Sequence, residues 1–366
     1  MSKKTILKIL HTESSCGWGG QEIRILTESE GMLARGHQVH IACPKESNIY
    51  KQAIKRGIPT TALPIARKNI KGLFALYKWL KQNSFDVINT HSSTDSWLVA
   101  LSNSFFKHPI SIVRTRHISA PIPKNKSSNW LYTKAANFIV TTGEKLKQTL
   151  ITENNFPKEK IMSVPTGIDP NIFFPLDKAI ARTQLGLPQD VFTIGILATL
   201  RSWKGHQYLI EALQKINKDN INLIIIGDGP MKSNIEKQIT ESGLKDQIKL
   251  VGNKENVVPW LQSLDLFVLP SYANEGVPQS LMQAMLCELP VISTPVGSIN
   301  ELIKHKETGL LVKPKDSDQL AEAIKIMIDK PSLRAELKKR GRAHVLAHYT
   351  FEHMIDSMEK IFISCQ

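Results

Sequence analysis

Residues 6–43 read ILKILHTESSCGWGGQEIRILTESEGMLARGHQVHIAC. Residues 6–11 form a short apolar run with strand character, and a glycine-rich turn follows it. A helix is expected over 21–35, Gly36 ends it, and 39–43 starts the next strand. Strand, turn, helix and strand make a βαβ unit, which lays its two strands parallel in one sheet. The same order continues outward. Residues 86–89, 110–114 and 138–141 read as further short strands, each separated by a helix-sized segment. The pattern then restarts, with strands at 192–198, 221–226, 248–251, 266–269, 291–293 and 310–312 and helices over 205–217 and 231–243. This alternation predicts an α/β chain of two consecutive doubly wound parallel sheets with helices on both faces. The stretch 165–175, with three prolines and a glycine, is the expected linker.

Length and composition agree. A chain of 366 residues suits two domains, and 42% hydrophobic with 22% charged residues is the profile of a folded globular protein. No run approaches the ~20 apolar residues of a membrane-spanning helix. The first residues carry Lys3 and Lys4 but only a brief apolar run, unlike a cleaved leader. Cys16, Cys43, Cys287 and Cys365 lie far apart, without zinc-site spacing. Free thiols and a cytoplasmic location are expected.

The net charge is +14, and residues 51–150 carry 12 lysines and 4 arginines against only Asp86, Asp95 and Glu144. That asymmetry calls for an acidic partner: a nucleic acid, an anionic membrane surface or a phosphorylated substrate. Residues 67–81, RKNIKGLFALYKWLK, alternate apolar and basic residues near helical spacing. They suit an interfacial helix, or an ordinary surface helix packed on a sheet. The aromatics of the basic region form no evident stacking platform, so nucleic acid is not expected.

Ligands of open parallel sheets bind beyond the carboxyl ends of the strands, so the loops there are the candidate sites. After the first strand come Gly17-Trp18-Gly19-Gly20-Gln21-Glu22, glycines that admit close backbone approach before a helix start. His91 and Asp95 follow one strand, and Arg116-His117 another. In the second half, Arg201-Ser202-Trp203-Lys204-Gly205 sets two cations beside a helix start, an arrangement suited to gripping a diphosphate. Gly227-Asp228-Gly229-Pro230 makes a turn. The strongest constellation is Pro270-Ser271-Tyr272-Ala273-Asn274-Glu275-Gly276-Val277-Pro278-Gln279 with Gln283 and Met285 beyond it. An acid that accepts hydroxyl hydrogen bonds stands there beside exposed helix amides. A sugar diphosphate needs that combination.

With these segments in this order, the sequence resembles the family 4 glycosyltransferases, retaining enzymes of the GT-B fold. The resemblance spans nearly the whole chain and includes Asp86-Val87-Ile88-Asn89-Thr90-His91, Pro165-Thr166-Gly167-Ile168-Asp169, Leu289-Pro290, Gly297, Glu301 and Thr308-Gly309. It implies two Rossmann-like domains facing across a cleft. Residues 1–168 would bind the acceptor and 169–345 the nucleotide sugar, with 346–366 as a final helix crossing back. Phe351, Met354, Ile355 and Met358 would pack on the first domain. It further implies that Glu275 contacts donor hydroxyls. The amides of Gly276, Val277 and Gln279 would lie near sugar and phosphate, and Arg201 and Lys204 would neutralise the diphosphate. His117 would stand at the reacting centre, and Gly19 and Gly20 would close over the phosphates. Gly227 and Gln283 would complete donor binding, and His91 and Asp95 would face the acceptor. Three departures stand out. Gln283 occupies the place of a ribose-binding glutamate, Arg201 lies three rather than five positions before Lys204, and Glu288 replaces a small glycine.

The expected reaction moves a sugar from a nucleotide diphosphate, UDP-sugar first, to a hydroxyl of a cell-envelope glycan or glycolipid. The acceptor would be lipopolysaccharide core or a lipid-linked saccharide. Fixed cations and amides would stabilise the departing phosphate, without a metal because no DxD pair follows a strand. Front-face transfer with retention fits the lack of an evident carboxylate nucleophile. A GT-B epimerase and a non-catalytic nucleotide-sugar binder remain alternatives. The partners are then the nucleotide sugar, the acceptor and, as a peripheral contact, an anionic membrane surface on the inner face of the plasma membrane.

Overall fold

The computed structural model describes residues 5–118, 120–273 and 275–366. It divides into two compact units, Met1–Thr166 with Glu352–Gln366, and Gly167–Phe351.

The first unit contains β1 (Lys8–Thr12), β2 (Gln38–Cys43), β3 (Thr60–Ala62), β4 (Val87–Thr90), β5 (Ser111–Arg116), β6 (Phe138–Thr141) and β7 (Ile161–Ser163). They form one parallel sheet in the order β3-β2-β1-β4-β5-β6-β7. The order reverses between β1 and β4, where an open parallel sheet splays its loops and binds ligands. In the second unit β8 (Phe192–Leu197), β9 (Ile221–Ile226), β10 (Ile248–Gly252), β11 (Leu266–Leu269), β12 (Val291–Ser293) and β13 (Leu310–Leu311) form a parallel sheet. Its order is β10-β9-β8-β11-β12-β13, with the reversal between β8 and β11.

The strand sequences explain the layering. β9 reads INLIII and is buried at every position but Asn222. A strand apolar on both faces needs helices on both sides, and that is the condition of a parallel sheet. The expected strands are present within one or two residues. The expectation omits β3 and β7, each three residues long.

Helix Gly20–Ala34 fills the first crossover and is anchored by buried polar chemistry. Arg24 and Glu28, one turn apart, approach to 3.5 Å with both side chains fully buried. Arg24 also donates to the Val164 carbonyl at 2.6 Å, and Glu28 accepts from Asn89 on β4 at 3.1 Å. The final helix, Phe351–Ser364, lays Met354, Ile355, Met358, Ile361 and Phe362 into the first unit as fully buried side chains. Burial of each contributes about 1.5–3 kcal/mol before conformational entropy is subtracted. Arg35 binds Glu352, Asp356 and Glu359 of that helix at 2.8, 2.6 and 2.5 Å. Phe351 is half-buried and falls in the second unit.

Helix Ile70–Gln82 turns Gly72, Leu76 and Leu80 inward against the first unit's core. Its outer stripe carries Ile70, Phe74, Lys78 and Lys81. It thus packs as a surface helix and still exposes an apolar and basic face. The four cysteines are unpaired thiols. Among the described residues, no helix is long and apolar enough to cross a membrane.

Candidate active site

In the second unit the chemistry gathers beyond the carboxyl ends of β8 and β11, on either side of the reversal. After β8 the chain makes a short turn, Ser202–Lys204, and after β11 comes the loop bearing Glu275. Lys204 Nζ lies 2.6 Å from Glu275 Oε1, and Ser271 Oγ donates to the same oxygen at 2.6 Å. Glu275 is 5% exposed. The Trp203 carbonyl accepts from Tyr272 N at 2.8 Å, which ties the two loops together.

Two glycines make this approach possible. Gly205, at φ 77°, packs so closely on Pro270 that a Cβ would stand 2.1 Å from its carbonyl oxygen. Gly297, at φ 57°, would place a Cβ 1.9 Å from the Glu275 carbonyl. Any side chain at either position would push the acidic loop out of place. Thr294 adds a hydrogen bond from its hydroxyl to the Ser271 carbonyl. Gly297 belongs to the resemblance, but only the structure shows that it supports Glu275 from behind.

Gly276 is half-buried and Val277 is buried at the entry to helix Gln279–Leu286. That helix starts directly after Pro278, so its positive amide end lies at the close of the acidic loop. Gln279 and Gln283, four residues apart, share one face and are both half-buried. Arg201 is exposed, and its guanidinium lies 5.2 Å over the Trp203 ring. The structure therefore unites Lys204, Glu275 and Ser271 and leaves Arg201 at the outer edge of the same turn. The Gly227–Gly229 turn is knitted to the loop after β8 through Leu200 N, which donates to the Asp228 carbonyl at 3.0 Å.

In the first unit, residues beyond β1, β4 and β5 come together. His91 accepts or donates at both ring nitrogens, 3.0 Å from His11 and 3.0 Å from His117. His11 and His91 are buried and His117 is half-buried. Burial holds all three rings below the ordinary histidine range, His11 down to about 3. Asp95 is fully buried and caps helix Ser93–Asn103. Its carboxylate accepts from His91 N at 2.9 Å, Ser92 N at 2.8 Å and Thr12 Oγ1 at 2.8 Å, and also from the Ser92 hydroxyl. His91 and Asp95 therefore spend their polar atoms inside the unit. Arg114 and Arg116, part of the basic count, are buried as well. Arg114 donates to the Ser92 carbonyl at 2.7 Å and Arg116 to Tyr132 Oη at 3.1 Å.

Gly19 precedes helix Gly20–Ala34 in extended backbone. Glu13, at the base of the glycine loop, belongs to none of the motifs that the sequence displays. It is fully buried, accepts from Ser15 N at 2.7 Å, and is also bonded by the Gln21 side chain. Burial first, and then the neighbouring Asp95 charge, push its carboxyl up to about 8. His11 likewise stands in the sequence only as the end of a strand. The signal for both is a run of polar residues, His11-Thr12-Glu13, directly on a strand's carboxyl end. Among the described residues no group of acids, histidines or cysteines is arranged to hold a metal ion.

Comparison with known proteins completes the picture. Residues 18–172 match the model of Glycosyltransferase Family 4, and residues 177–344 match that of Glycosyl transferases group 1. An Escherichia coli UDP-Gal:alpha-D-GlcNAc-diphosphoundecaprenol alpha-1,3-galactosyltransferase is 24% identical, over 98% of this chain and 97% of its own length. The Anabaena protein HepE, solved with UDP and glucose, has a TM-score of 0.87 at 21% identity, covering 98% of this chain and 100% of HepE. A Rickettsia africae glycosyltransferase also reaches a TM-score of 0.87, at 19% identity and with 98% of each chain covered. With both halves matched by family models and both sheets in the GT-B pattern, the chain belongs to the family 4 glycosyltransferases.

Proposed function

We propose that this glycosyltransferase moves a sugar from a UDP-sugar to a hydroxyl of a lipid-linked saccharide or lipopolysaccharide core, with retention of configuration. The observation that carries the reading is the Lys204–Glu275–Ser271 cluster beyond β8 and β11. The acceptor class is supported by the Escherichia coli relative, whose name specifies a diphosphoundecaprenol-linked acceptor. The donor class is supported by the UDP in HepE.

Breaking a glycosyl–phosphate bond builds negative charge on the leaving diphosphate. Lys204 and the amide end of helix Gln279–Leu286 supply fixed positive ends for that charge, with Arg201 reinforcing them from the rim. Glu275, held rigid by Ser271 and Lys204, accepts from donor sugar hydroxyls. The backbone at Gly276, Val277 and Gln279 then lies along sugar and phosphate. Gln283 hydrogen-bonds the ribose, and Gly227 leaves room for the nucleotide. On the acceptor side His117 addresses the reacting centre, and Gly19 and Gly20 admit the phosphates. His91 and Asp95 act there through His117 and Ser92 rather than by touch. The departing phosphate takes the acceptor proton in a front-face transfer. Turnover is expected to persist in EDTA.

The basic face of the first unit supports a membrane-bound acceptor. Ile70, Phe74 and Phe105 are 72%, 63% and 63% exposed, and the exposed Arg67, Lys68, Lys71, Lys78, Lys81 and Lys107 lie close to them along the chain. Such a surface suits the inner, anionic face of a plasma membrane.

The test is turnover of UDP-sugars with a polyprenyl-diphosphate saccharide or lipopolysaccharide core as acceptor. Lys204→Ala and Glu275→Ala should each lower kcat/KM by at least about 10²-fold while the protein stays folded. Near wild-type rates in either variant would overturn the assignment. Donor turnover without any acceptor would point to epimerisation instead.

A further inference from the structure

At the carboxyl ends of three neighbouring strands, β1, β4 and β5, three imidazoles stand in a row. The ring centroids of His11 and His91 are 5.2 Å apart at 23°, and those of His91 and His117 are 5.2 Å apart at 32°. Adjacent strands lie about 4.8 Å apart, so the sheet itself sets this spacing. His11 Nδ1 meets His91 Nε2 at 3.0 Å, and His91 Nδ1 meets His117 Nε2 at 3.0 Å. We propose that His11 and His91 are positioning residues that hold His117 in one tautomer, the three rings forming a single directed hydrogen-bond array. The functional consequence rests on the reading that His117 faces the donor sugar.

Proton counting sets the direction of the array. A neutral imidazole carries one N–H and one lone pair. His91 therefore donates to one neighbour and accepts from the other, and the two bonds must run in the same direction. Either all three protons sit on Nδ1, or all three sit on Nε2. In the first case His117 turns an Nδ1–H donor outward; in the second it turns an Nδ1 lone pair outward. The buried pair thus decides whether a sugar oxygen at His117 meets a donor or an acceptor, as the far nitrogen of a functional histidine generally does.

The surroundings keep the array neutral. Burial and the positive charge of Arg24, on helix Gly20–Ala34, oppose a proton on all three rings, and Arg114, on β5, adds to this at His91 and His117. From the final helix the Phe362 ring faces His11, at 6.3 Å and 76°. The nearby acids are engaged elsewhere, Asp95 with Thr12 and the His91 backbone and Glu28 with Arg24 and Asn89. His11 Nε2 is buried and meets no hydrogen-bond partner among the described residues, so the array ends there.

Long-range ¹H–¹⁵N correlation spectra of the protein, labelled in histidine, test this directly. The wild type should show His11, His91 and His117 in one shared tautomer, with none titrating between about pH 6 and pH 8. His91→Phe keeps a stacked ring and removes both nitrogens. In it His117 should show mixed tautomers. Its kcat should fall by about tenfold or more, with the donor KM within about twofold. Unlike tautomers in the wild type, or an unchanged His117 spectrum in H91F, would overturn the array. If H91F does not fold, the wild-type spectrum alone decides. A shared tautomer together with full turnover in His117→Ala would instead strike the role given to His117 and leave the array standing.

Discussion

At the scale of single residues, Glu13 shows what burial does to a charge. It is fully buried with its carboxyl raised from 4.5 to about 8, chiefly by burial and next by the Asp95 charge. A folded pKa above the unfolded one means that the native state holds the proton more tightly. The stabilisation from Glu13 is therefore complete below about 4.5 and is lost as pH rises through about 8. Glu13→Gln keeps an oxygen that can accept from Ser15 N and cannot ionise. The variant's melting temperature relative to wild type should climb between pH 5 and pH 9. A tenfold change in proton affinity on folding is worth about 1.4 kcal/mol, so the rise should correspond to a few kcal/mol at most. A difference that is the same at both pH values would remove Glu13 as the titrating group. In the sequence such a residue is marked only by the polar run at the end of β1, which carries no sign of its acidity. Its acidity depends on Asp95, far along the chain, and on how completely the loop closes over both.

At the scale of elements, helix Gln279–Leu286 ends in a Schellman motif: Leu289 N donates to the Ala284 carbonyl and Glu288 N to the Met285 carbonyl, both at 3.0 Å. The residue at the left-handed position is Glu288, at φ 60°. A side chain there costs roughly 1–2 kcal/mol, partly offset by the greater unfolded-state freedom of a glycine. Glu288→Gly should therefore stabilise the second unit by about 1 kcal/mol, a rise of about 2–4 °C in Tm. The half-exposed pair of Glu288 with Lys338, at 3.4 Å, offsets little of it. A lower Tm by differential scanning calorimetry would contradict this expectation. The family resemblance marks position 288 as a departure from glycine, but the reason is a backbone angle that only the structure displays. Element legibility follows the same logic. β9 and β11 stand out in the sequence because strands buried on both faces are continuous apolar runs. β3 and β7 are three-residue edge strands of mixed character, too short for any periodicity to register. The loop bearing Glu275 is legible because glycine, proline and acid cluster at fixed offsets within one segment. The three-histidine row is not, because its members sit 80 and 26 positions apart and meet only through strand pairing.

At the scale of the whole molecule, the charge has a location. Nearly all of the net +14 is carried by residues 51–150, and the buried Arg114 and Arg116 remove only a small part of it from the surface. Helix Ile70–Gln82 shows how the remainder is displayed. Positions 70, 74, 78 and 81 fall on one stripe, opposite the buried 72, 76 and 80. Ile70 and Phe74 stand exposed on that stripe between lysines, and Phe105, packed at 5.8 Å from Tyr77, extends the patch. Each lysine near an anionic bilayer contributes about 1 kcal/mol, and the attraction is screened over a Debye length of about 8 Å at physiological salt. Aromatic insertion adds a part that salt does not screen. In sedimentation with vesicles, the protein should bind those containing phosphatidylglycerol and not those of phosphatidylcholine alone, and should be partly released at high salt. Phe74→Ser should weaken the salt-resistant fraction, and Lys71→Glu with Lys78→Glu the salt-sensitive one, each without loss of donor turnover on a water-soluble acceptor. Equal retention on neutral and anionic vesicles at low salt would detach the basic face from membranes and leave a phosphorylated acceptor as the partner that its charge serves.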